Sequence, residues 1–301
     1  MNISIAMATY NGERYLREQI ESILRQTLSD FELVISDDAS SDGTWYLLQD
    51  YASKDKRIRI YRNDINVGFK ENFVKAIGLC KGDYIALSDQ DDIWEPYHLQ
   101  VLADNIGDKM IACGDALMVN ADNSSMNMLL SHQEALDFVP DNDLERAYSV
   151  FYFRSPYQGA GMLIKKDFFQ IAFPIPDKIA YHDAWFSHLS CFYGGLRFID
   201  IPISRYRRHD GNVTGNKIKR RPKLRTWFRH LRHQYTLVDR PYIARQIIDR
   251  VTPLSDEQVR FLRYIERYYL RKQNLWGRFL NSLFELSHYK LIYSCRGCYY
   301  I

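Results

Sequence analysis

The chain has little of what marks several protein classes. Five cysteines, Cys80, Cys113, Cys191, Cys295 and Cys298, are scattered over 301 residues. That is no disulfide framework, and it predicts reduced thiols. Cys295 and Cys298 make a lone C-x-x-C with no second pair, which alone supports neither a zinc site nor redox chemistry. No apolar run reaches the length of a membrane-spanning helix. No basic segment followed by an apolar one opens the chain, so the protein is expected to stay on the side of the membrane where it is made.

The net charge is only +3, but it is unevenly spread. Residues 217–301 hold 19 Lys and Arg against 6 Asp and Glu, a balance of +13. Residues 1–216 hold 21 against 31, a balance of −10. With 46% hydrophobic residues the chain can bury a full core, as one large domain plus an appendage. The expected division is 1–216 and 217–301, with Asn212, Gly215 and Pro222 breaking regular structure between them.

The acidic body is organised around Ser88-Asp89-Gln90-Asp91-Asp92-Ile93-Trp94. Tyr84–Leu87 just before it reads as a buried strand. Three carboxylates then fall within four residues. Like charges this close repel, and a cation relieves them. Carboxylates suit Mg²⁺ or Mn²⁺, ions that commonly bridge to substrate phosphates. A solvated acidic turn is the plainer alternative.

Upstream, strand-like runs at Ile3–Ala8, Phe31–Ile35 and Ile58–Tyr61 alternate with amphipathic segments. The first of these carries Tyr15, Leu16, Ile20, Ile23 and Leu24 on one face. Such alternation predicts a parallel sheet between helices. Ligands bind such sheets beyond the carboxyl ends of the strands. The polar clusters at 9–13, 37–42, 66–72 and 89–92 all fall at that edge.

Six stretches together resemble one known family. They are Ala8-Thr9-Tyr10-Asn11-Gly12, Ser36–Thr44, Asn66-Val67-Gly68, Ser88–Trp94, His182-Asp183-Ala184-Trp185 and Tyr206-Arg207-Arg208-His209. In this order the chain is similar to the inverting glycosyltransferases of family 2. Asp-Gln-Asp-Asp-Ile-Trp and His-Asp-x-Trp resemble the branch with bacterial rhamnosyltransferases of surface-polysaccharide assembly. The resemblance covers residues 3 to about 215 and says nothing specific of the last third. It implies the GT-A fold, a mixed, mainly parallel sheet between helices, followed here by a C-terminal α-helical appendage.

The resemblance also implies roles. Asp38 would hydrogen-bond the pyrimidine base of a nucleotide-diphospho-sugar. Thr9, Asn11, Glu13, Asn66, Gly68 and Gln90 would shape the nucleotide pocket, with Asp89 facing the ribose and diphosphate. Asp91 would hold Mg²⁺ or Mn²⁺, supported by Asp92 and Trp94. Asp183 matches the family's general base, with His182 and Trp185 beside it. Alone, Asp183 also fits a helix-start carboxylate. His209 follows Arg207 and Arg208, a group that suits a diphosphate and its metal; an ordinary solvated loop is the other reading. Gly159 and Gly161 allow close approach of a ligand, or make a bulge. With Asp115, Met162 and Trp185 they are expected around the sugar. The donor implied first is dTDP-L-rhamnose, with a UDP-hexose second. The acceptor implied is a growing, polyprenyl-diphosphate-linked surface glycan.

The tail is a different object. Residues 217–235 hold eight Lys and Arg, two His and no acid, with Trp227, Phe228 and Leu231 among them. A helix is predicted from Ser255, capped by Ser255 and Gln258. It puts Val259, Leu262, Ile265 and Tyr269 on one face and Arg260, Arg263, Arg267 and Arg271 on the other. Basic amphipathic segments with aromatic residues bind membrane interfaces. The expectation is a peripheral protein on the anionic, cytoplasmic face of the cell membrane. Packing against a partner or the body is the second reading, and nucleic acid is not expected.

Other classes fare worse. A sugar-nucleotide-forming nucleotidyltransferase is expected to carry a Gly-rich first loop with Arg and Lys, and Thr9-Tyr10-Asn11-Gly12 is not that. A non-catalytic sugar- or membrane-binding module is free to lose its carboxylates, whereas Asp38, Asp89, Asp91 and Asp183 are all present.

Overall fold

The computed structural model describes residues 1–133, 142–152, 157–212 and 239–271. The elements run β1 (Ile3–Thr9), α1 (Glu13–Leu24), β2 (Phe31–Asp37), α2 (Thr44–Lys54), β3 (Ile58–Arg62), α3 (Phe69–Gly78), β4 (Tyr84–Ser88) and β5 (Ile93–Trp94). Then come α4 (His98–Ile106), β6 (Ile111–Asn120), β7 (Ser125–Leu129), α5 (Leu130–Gln133), α6 (Asp143–Tyr152) and β8 (Met162–Lys165). The described chain ends with α7 (Phe168–Ala172), α8 (His182–Ser190), β9 (Leu196–Arg208), α9 (Arg240–Arg250) and α10 (Asp256–Arg271).

Among the described residues the strands form one sheet in the order β3-β2-β1-β4-β8-β6-β9-β5, with β7 paired to β6. Strands β1 to β4 are mutually parallel, as the alternation predicts. Strand β8 is antiparallel to both β4 and β6, and β9 is parallel to β6. Side chains alternate across the sheet as the pleat requires. Ile3, Ile5 and Met7 of β1 face a core built with α1, α2 and α4. Ala6 faces the opposite core, which gathers α3, α6, α7 and α8.

This topology determines where a site can form. The chain leaves β1 toward β2 on one side and later enters β4 on the other, so a crevice opens beyond their carboxyl ends. Strands β6 and β9 run parallel to β4 and deliver their carboxyl ends to the same edge. Strand β8 runs the other way, so its start at Met162 arrives there too.

Two expectations are corrected. The polar stretch 122–133, whose Ser124-Ser125 pair suggests a loop, instead forms β7 and the short α5 against β6. Pro202, whose missing N–H suggests a break into two strands at 196–201 and 203–206, lies inside β9 opposite Asp115, where the register shifts. A bulge is where a sheet tolerates a residue with no N–H to donate.

The described part of the tail belongs to the core. Helix α9 is capped by Asp239, which accepts from Tyr242 N–H at 3.1 Å. Helix α10 has the predicted capping box: Gln258 N–H donates to Ser255 Oγ at 3.2 Å, and Ser255 N–H to Gln258 Oε1 at 2.9 Å. Ile243, Ala244, Ile247, Phe261, Leu262 and Ile265 are buried with α6 and α8. The Phe261 ring lies 4.5 Å from that of Tyr148 and 5.6 Å from that of Phe151. The apolar face expected at a membrane is therefore, at Leu262 and Ile265, turned into the protein. Arg260, Arg263 and Arg267 remain exposed on the other face. Residues 217–238, with Trp227, Phe228 and Leu231, and residues 272–301 lie outside the described residues. No described helix is long and apolar enough to cross a membrane.

Candidate active site

Three loops at the carboxyl edge are laced together. Asn11 sits at φ 48° and donates from its N–H to Ser40 Oγ at 2.9 Å. Its side-chain oxygen accepts from Ser41 N–H at 2.9 Å. Glu13 accepts from Gly43 N–H at 2.9 Å, and Gly12 N–H donates to Thr44 Oγ1 at 2.8 Å. Thr9 is buried, and its hydroxyl donates to Asp37 at 3.1 Å. Gln90 reaches back from the β4 loop, accepting from Tyr10 N–H at 2.9 Å and donating to Tyr10 O at 3.0 Å. Asn11, Glu13 and Gln90 thus hold the pocket's walls in register.

Asp38 is 1% exposed. It accepts from Asn63 Nδ2 at 2.7 Å, Val67 N–H at 2.9 Å and Gly68 N–H at 2.9 Å. A carboxylate offers about four acceptor sites, so one is left for a ligand N–H. Asp38 also shapes the 63–68 turn, in which Asn66 is exposed and Gly68 adopts φ +90°.

The acidic turn after β4 is held from beneath. Asp92 is buried and accepts from Gln158 Nε2 at 2.9 Å and from Arg207 N–H at 3.1 Å. The Arg207 guanidinium, 1% exposed, donates to Asp91 O at 3.0 Å, Ala121 O at 2.9 Å and Glu18 Oε2 at 2.6 Å. It lies 4.8 Å from the Tyr15 ring, and the His209 ring lies 4.6 Å from the same tyrosine. Arg207, expected among the phosphate ligands, is a buried brace instead. Tyr15, Glu18 and Gln158 also belong to this brace and were not singled out in the sequence. The one signal for Gln158 was its place beside the Gly159–Gly161 pair.

His209 Nε2 stands 2.8 Å from Asp91 Oδ2. Its Nδ1 accepts from Gly211 N–H at 3.1 Å, so Nε2 carries the ring proton. Burial, then the charges of Asp91 and Asp183, push the Asp89 carboxyl up to about 8. Burial, then Asp91 and Asp89, hold Asp92 well above the usual carboxylate range. This uncompensated repulsion suits a cation. Among the described residues no group of three or more His, Cys, Asp or Glu side chains is placed to hold one. The chain offers Asp91 and His209, which leaves further positions to phosphate oxygens and water, as is common for Mg²⁺. Using His209 Nε2 would require moving its proton to Nδ1 and breaking the Gly211 contact. The pair fits a cation with a shift of the 209–212 turn.

Asp183 opens α8, where its carboxylate accepts from Ala184 N–H at 2.7 Å. Its charge contributes to raising the Asp89 carboxyl, so the start of α8 lies near the acidic turn. A Cβ built on Gly159 would meet Asp183 Cβ at 3.4 Å and His182 Nε2 at 3.1 Å. The absent side chain lets β8's entry loop close against α8. His182 is buried, its ring 4.4 Å from that of Phe73. Burial holds its imidazole below its ordinary value, partly offset by Asp183.

Trp94, expected to support Asp91, and Met162, Trp185 and Asp115, expected around the sugar, are all buried. Trp94 is buried and stacks on His98 at 3.8 Å. Trp185 is fully buried and donates its indole N–H to Ala172 O at 2.9 Å. Asp115 accepts from Ser131 N–H at 3.1 Å and Ser131 Oγ at 2.6 Å, pinning α5 to β6. All three are buried, with the Trp185 indole N–H bonded within the core and the Asp115 carboxylate turned to Ser131, while the Trp94 indole N–H has no partner.

The fold is that of the GT-A transferases. TarS of S. aureus, solved with UDP-GlcNAc, superposes at a TM-score of 0.59 with 18% identity, over 90% of this chain and 72% of that one. The mannosyltransferase PcManGT of Pyrobaculum calidifontis, solved with GDP-Man and Mn2+, gives 0.54 at 14% identity, over 98% and 76%. The chain belongs to glycosyl transferase family 2, whose model matches residues 4–189. The dTDP-rhamnosyl transferase RfbG of Shigella flexneri is 29% identical over 234 residues, 73% of this chain and 77% of that protein. The chain spans about a third of the length of the first curated relatives it matches, among them the glycosyltransferase MJ1057 of Methanocaldococcus jannaschii, 40% identical over 100 residues.

Proposed function

We propose that the protein is a metal-assisted, inverting glycosyltransferase. It moves a sugar from a nucleotide-diphospho-sugar to a hydroxyl of a growing surface glycan. The observation that supports this reading is the loop before β8, where Gln158 donates to Asp92 of the acidic turn at 2.9 Å while its neighbour Gly159 packs against Asp183 at the start of α8. Asp183 takes the proton of the acceptor hydroxyl. The oxygen then bonds to the anomeric carbon as the carbon–phosphate-oxygen bond breaks, and the electron pair leaves on the diphosphate. No enzyme nucleophile intervenes, so the configuration inverts. Asp91, with His209 after its turn shifts, would hold Mg²⁺ or Mn²⁺, which supplies charge stabilisation to the leaving diphosphate. Thr9, Asp38, Asn66 and Gly68 form the nucleoside end, and Asp89 the ribose and diphosphate end.

L-rhamnose from a dTDP donor is the first choice of sugar, supported by the RfbG relative and by the Asp-Gln-Asp-Asp-Ile-Trp form. A UDP-hexose is the second, supported by the fold shared with TarS. The basic segment 217–235 supports work at the cytoplasmic membrane face on a polyprenyl-diphosphate-linked acceptor. The test is release of nucleoside diphosphate from a panel of nucleotide sugars, with and without Mn²⁺ or Mg²⁺. Metal-dependent release from one donor supports the reading. No release from any donor overturns it.

A further inference from the structure

The large apolar side chains that stay exposed are not randomly placed. Ile65 is 71% exposed, Val67 43% and Phe69 38%, all in one five-residue stretch after β3. Single exposed apolar residues are ordinary, but a contiguous group marks a contact surface. The stretch is firmly held. Asp38 takes the N–H groups of Val67 and Gly68, and Gly68 turns the chain at φ +90°. That turn starts α3 at Phe69 and aims the ring across the crevice. The Phe69 ring centre lies 5.8 Å from that of Tyr181, at an interplanar angle of 33°. It lies 6.5 Å from the His182 ring. Tyr181 is half-buried and directly precedes His182 and Asp183 at the start of α8.

Two aromatic rings therefore meet at the start of α8, beside His182 and two residues before the Asp183 that the proposed reaction uses as base. Gly159 closes one side of Asp183, and the acidic turn after β4 lies on the donor side. We propose that Phe69 and Tyr181 form an aromatic platform for the acceptor sugar ring, holding its apolar C–H face while a hydroxyl is presented to Asp183. The occupant is a pyranose. A pyranose has a polar rim and an apolar face, and the platform offers ring surface beside a carboxylate. Because the 65–69 turn is also anchored by Asp38 at the nucleoside end, acceptor binding is coupled to donor binding. This inference rests on the reading of Asp183 as base.

The probe is a set of methyl glycosides (α-L-rhamnoside, β-D-glucoside and N-acetyl-β-D-glucosaminide) observed by saturation-transfer NMR on the full chain with nucleoside diphosphate and Mn²⁺-free Mg²⁺ buffer. At least one should receive saturation mainly at the C–H protons of one ring face. Phe69→Ala and Tyr181→Ala should weaken that binding by about tenfold, Phe69→Trp should keep it, and Phe69→Leu should not. In turnover assays Phe69→Ala should raise the acceptor KM about tenfold while the donor KM moves less than about twofold. Binding unaffected by Phe69→Ala and Tyr181→Ala overturns the platform, as does retention by Phe69→Leu or no glycoside binding at all. An equal rise in donor KM would make Phe69 a nucleotide contact and also overturn it. If wild type releases no nucleoside diphosphate from any donor, the reading of the reaction fails instead. Circular dichroism on each variant separates misfolding from lost contact, and Phe69→Trp supplies the folded control.

Discussion

Asp91 and Asp183 share the crevice but are expected to fail differently when changed. Asp183→Asn keeps the shape and removes the group that takes the acceptor proton. kcat should fall by about 10²–10⁴, while the nucleotide still binds by calorimetry. Asp91→Asn should lower kcat and, in addition, weaken the apparent affinity for Mn²⁺. A variant of Asp183 that keeps most of its turnover would remove it from the proton step, and full wild-type activity in excess chelator would remove the metal. Arg207 belongs to a third kind, a brace that touches no substrate. Removing its side chain leaves the carbonyls of Asp91 and Ala121 without their donor and Glu18 without its cation. Breaking a buried ion pair costs about 3–5 kcal/mol. Glu18 is 53% exposed and water can reach it, so Arg207→Met should cost less, about 2 kcal/mol in urea unfolding. The same variant should weaken Mn²⁺ affinity, because the Asp91 carbonyl hangs on the Arg207 guanidinium, although Asp92 keeps its bond to the Arg207 backbone N–H. An unchanged metal affinity in a folded Arg207→Met protein would separate the brace from the site.

At the scale of elements, what could be read locally was read well. Strands β1 to β4 and helices α1 to α3 carry their periodicity within each segment, and each is followed by its polar cluster. The elements that escaped owe their form to distant partners. Strand β7, with the sequence Ser-Met-Asn-Met-Leu, alternates over only four residues in a polar, Ser- and Asn-rich stretch, and it pairs along the edge that β6 offers. Pro202 stays in β9 because the register shift opposite Asp115 absorbs it. In the site, the acidic turn, Asp183 and His209 were legible as motifs, but the Arg207 brace was not, since a cation's burial cannot be read from its neighbours in the chain. Helix α4 shows a similar long-range tie. His98 in its first turn donates Nδ1–H to Ile203 O of β9 at 3.0 Å, under the Trp94 ring. Burial pushes its imidazole down to about 3, against an ordinary value of 6.5. The unfolded chain takes up that proton as pH falls below 6.5 and the folded chain does not, so stability from this group is lost between about 6.5 and about 3. Asp89 acts in the opposite sense, because its raised folded value favours proton uptake by the native state between about 8 and 3.8. The two must therefore be separated by difference. His98→Phe keeps a ring and removes the titration. The gap in stability between wild type and variant should shift toward the variant by up to about 1.4 kcal/mol for each pH unit below 6.5. Urea midpoints at pH 7 and 5 measure it, and a constant gap would mean that His98 titrates alike in the folded and unfolded chain.

At the scale of the whole molecule, the basic tail divides into parts with different duties. A tail serving only as a membrane anchor could be cut away at residue 217 and leave a folded catalytic body. The packing of α9 and α10 argues otherwise. Ile243, Ala244, Ile247, Val251, Phe261, Leu262 and Ile265 are buried in the same core as α6 and α8. Full burial of one large aliphatic or aromatic side chain contributes about 1.5–3 kcal/mol, and whole domains are stable by only about 5–15 kcal/mol. Arg250 adds a cap, donating to Pro174 O at 2.8 Å and lying 5.3 Å from the Trp185 ring. A chain ending at residue 238 should therefore be insoluble or unfold without a cooperative transition. A chain ending at residue 271 keeps all of these contacts and should melt within a few degrees of wild type. The proposed membrane role would then fall to the basic segment 217–235, whose charges would each contribute about 1 kcal/mol near an anionic leaflet. Reversing Arg220, Arg221, Arg225 and Arg229 to Glu should release the protein from phosphatidylserine or cardiolipin vesicles. The melting temperature of the same variant, measured alongside, separates release from unfolding. Wild type should leave the same vesicles as salt rises. If it ignores them at low salt, segment 217–235 serves a protein partner instead, and α10's exposed arginines, Arg260, Arg263 and Arg267, become the first place to look for that partner's acidic face.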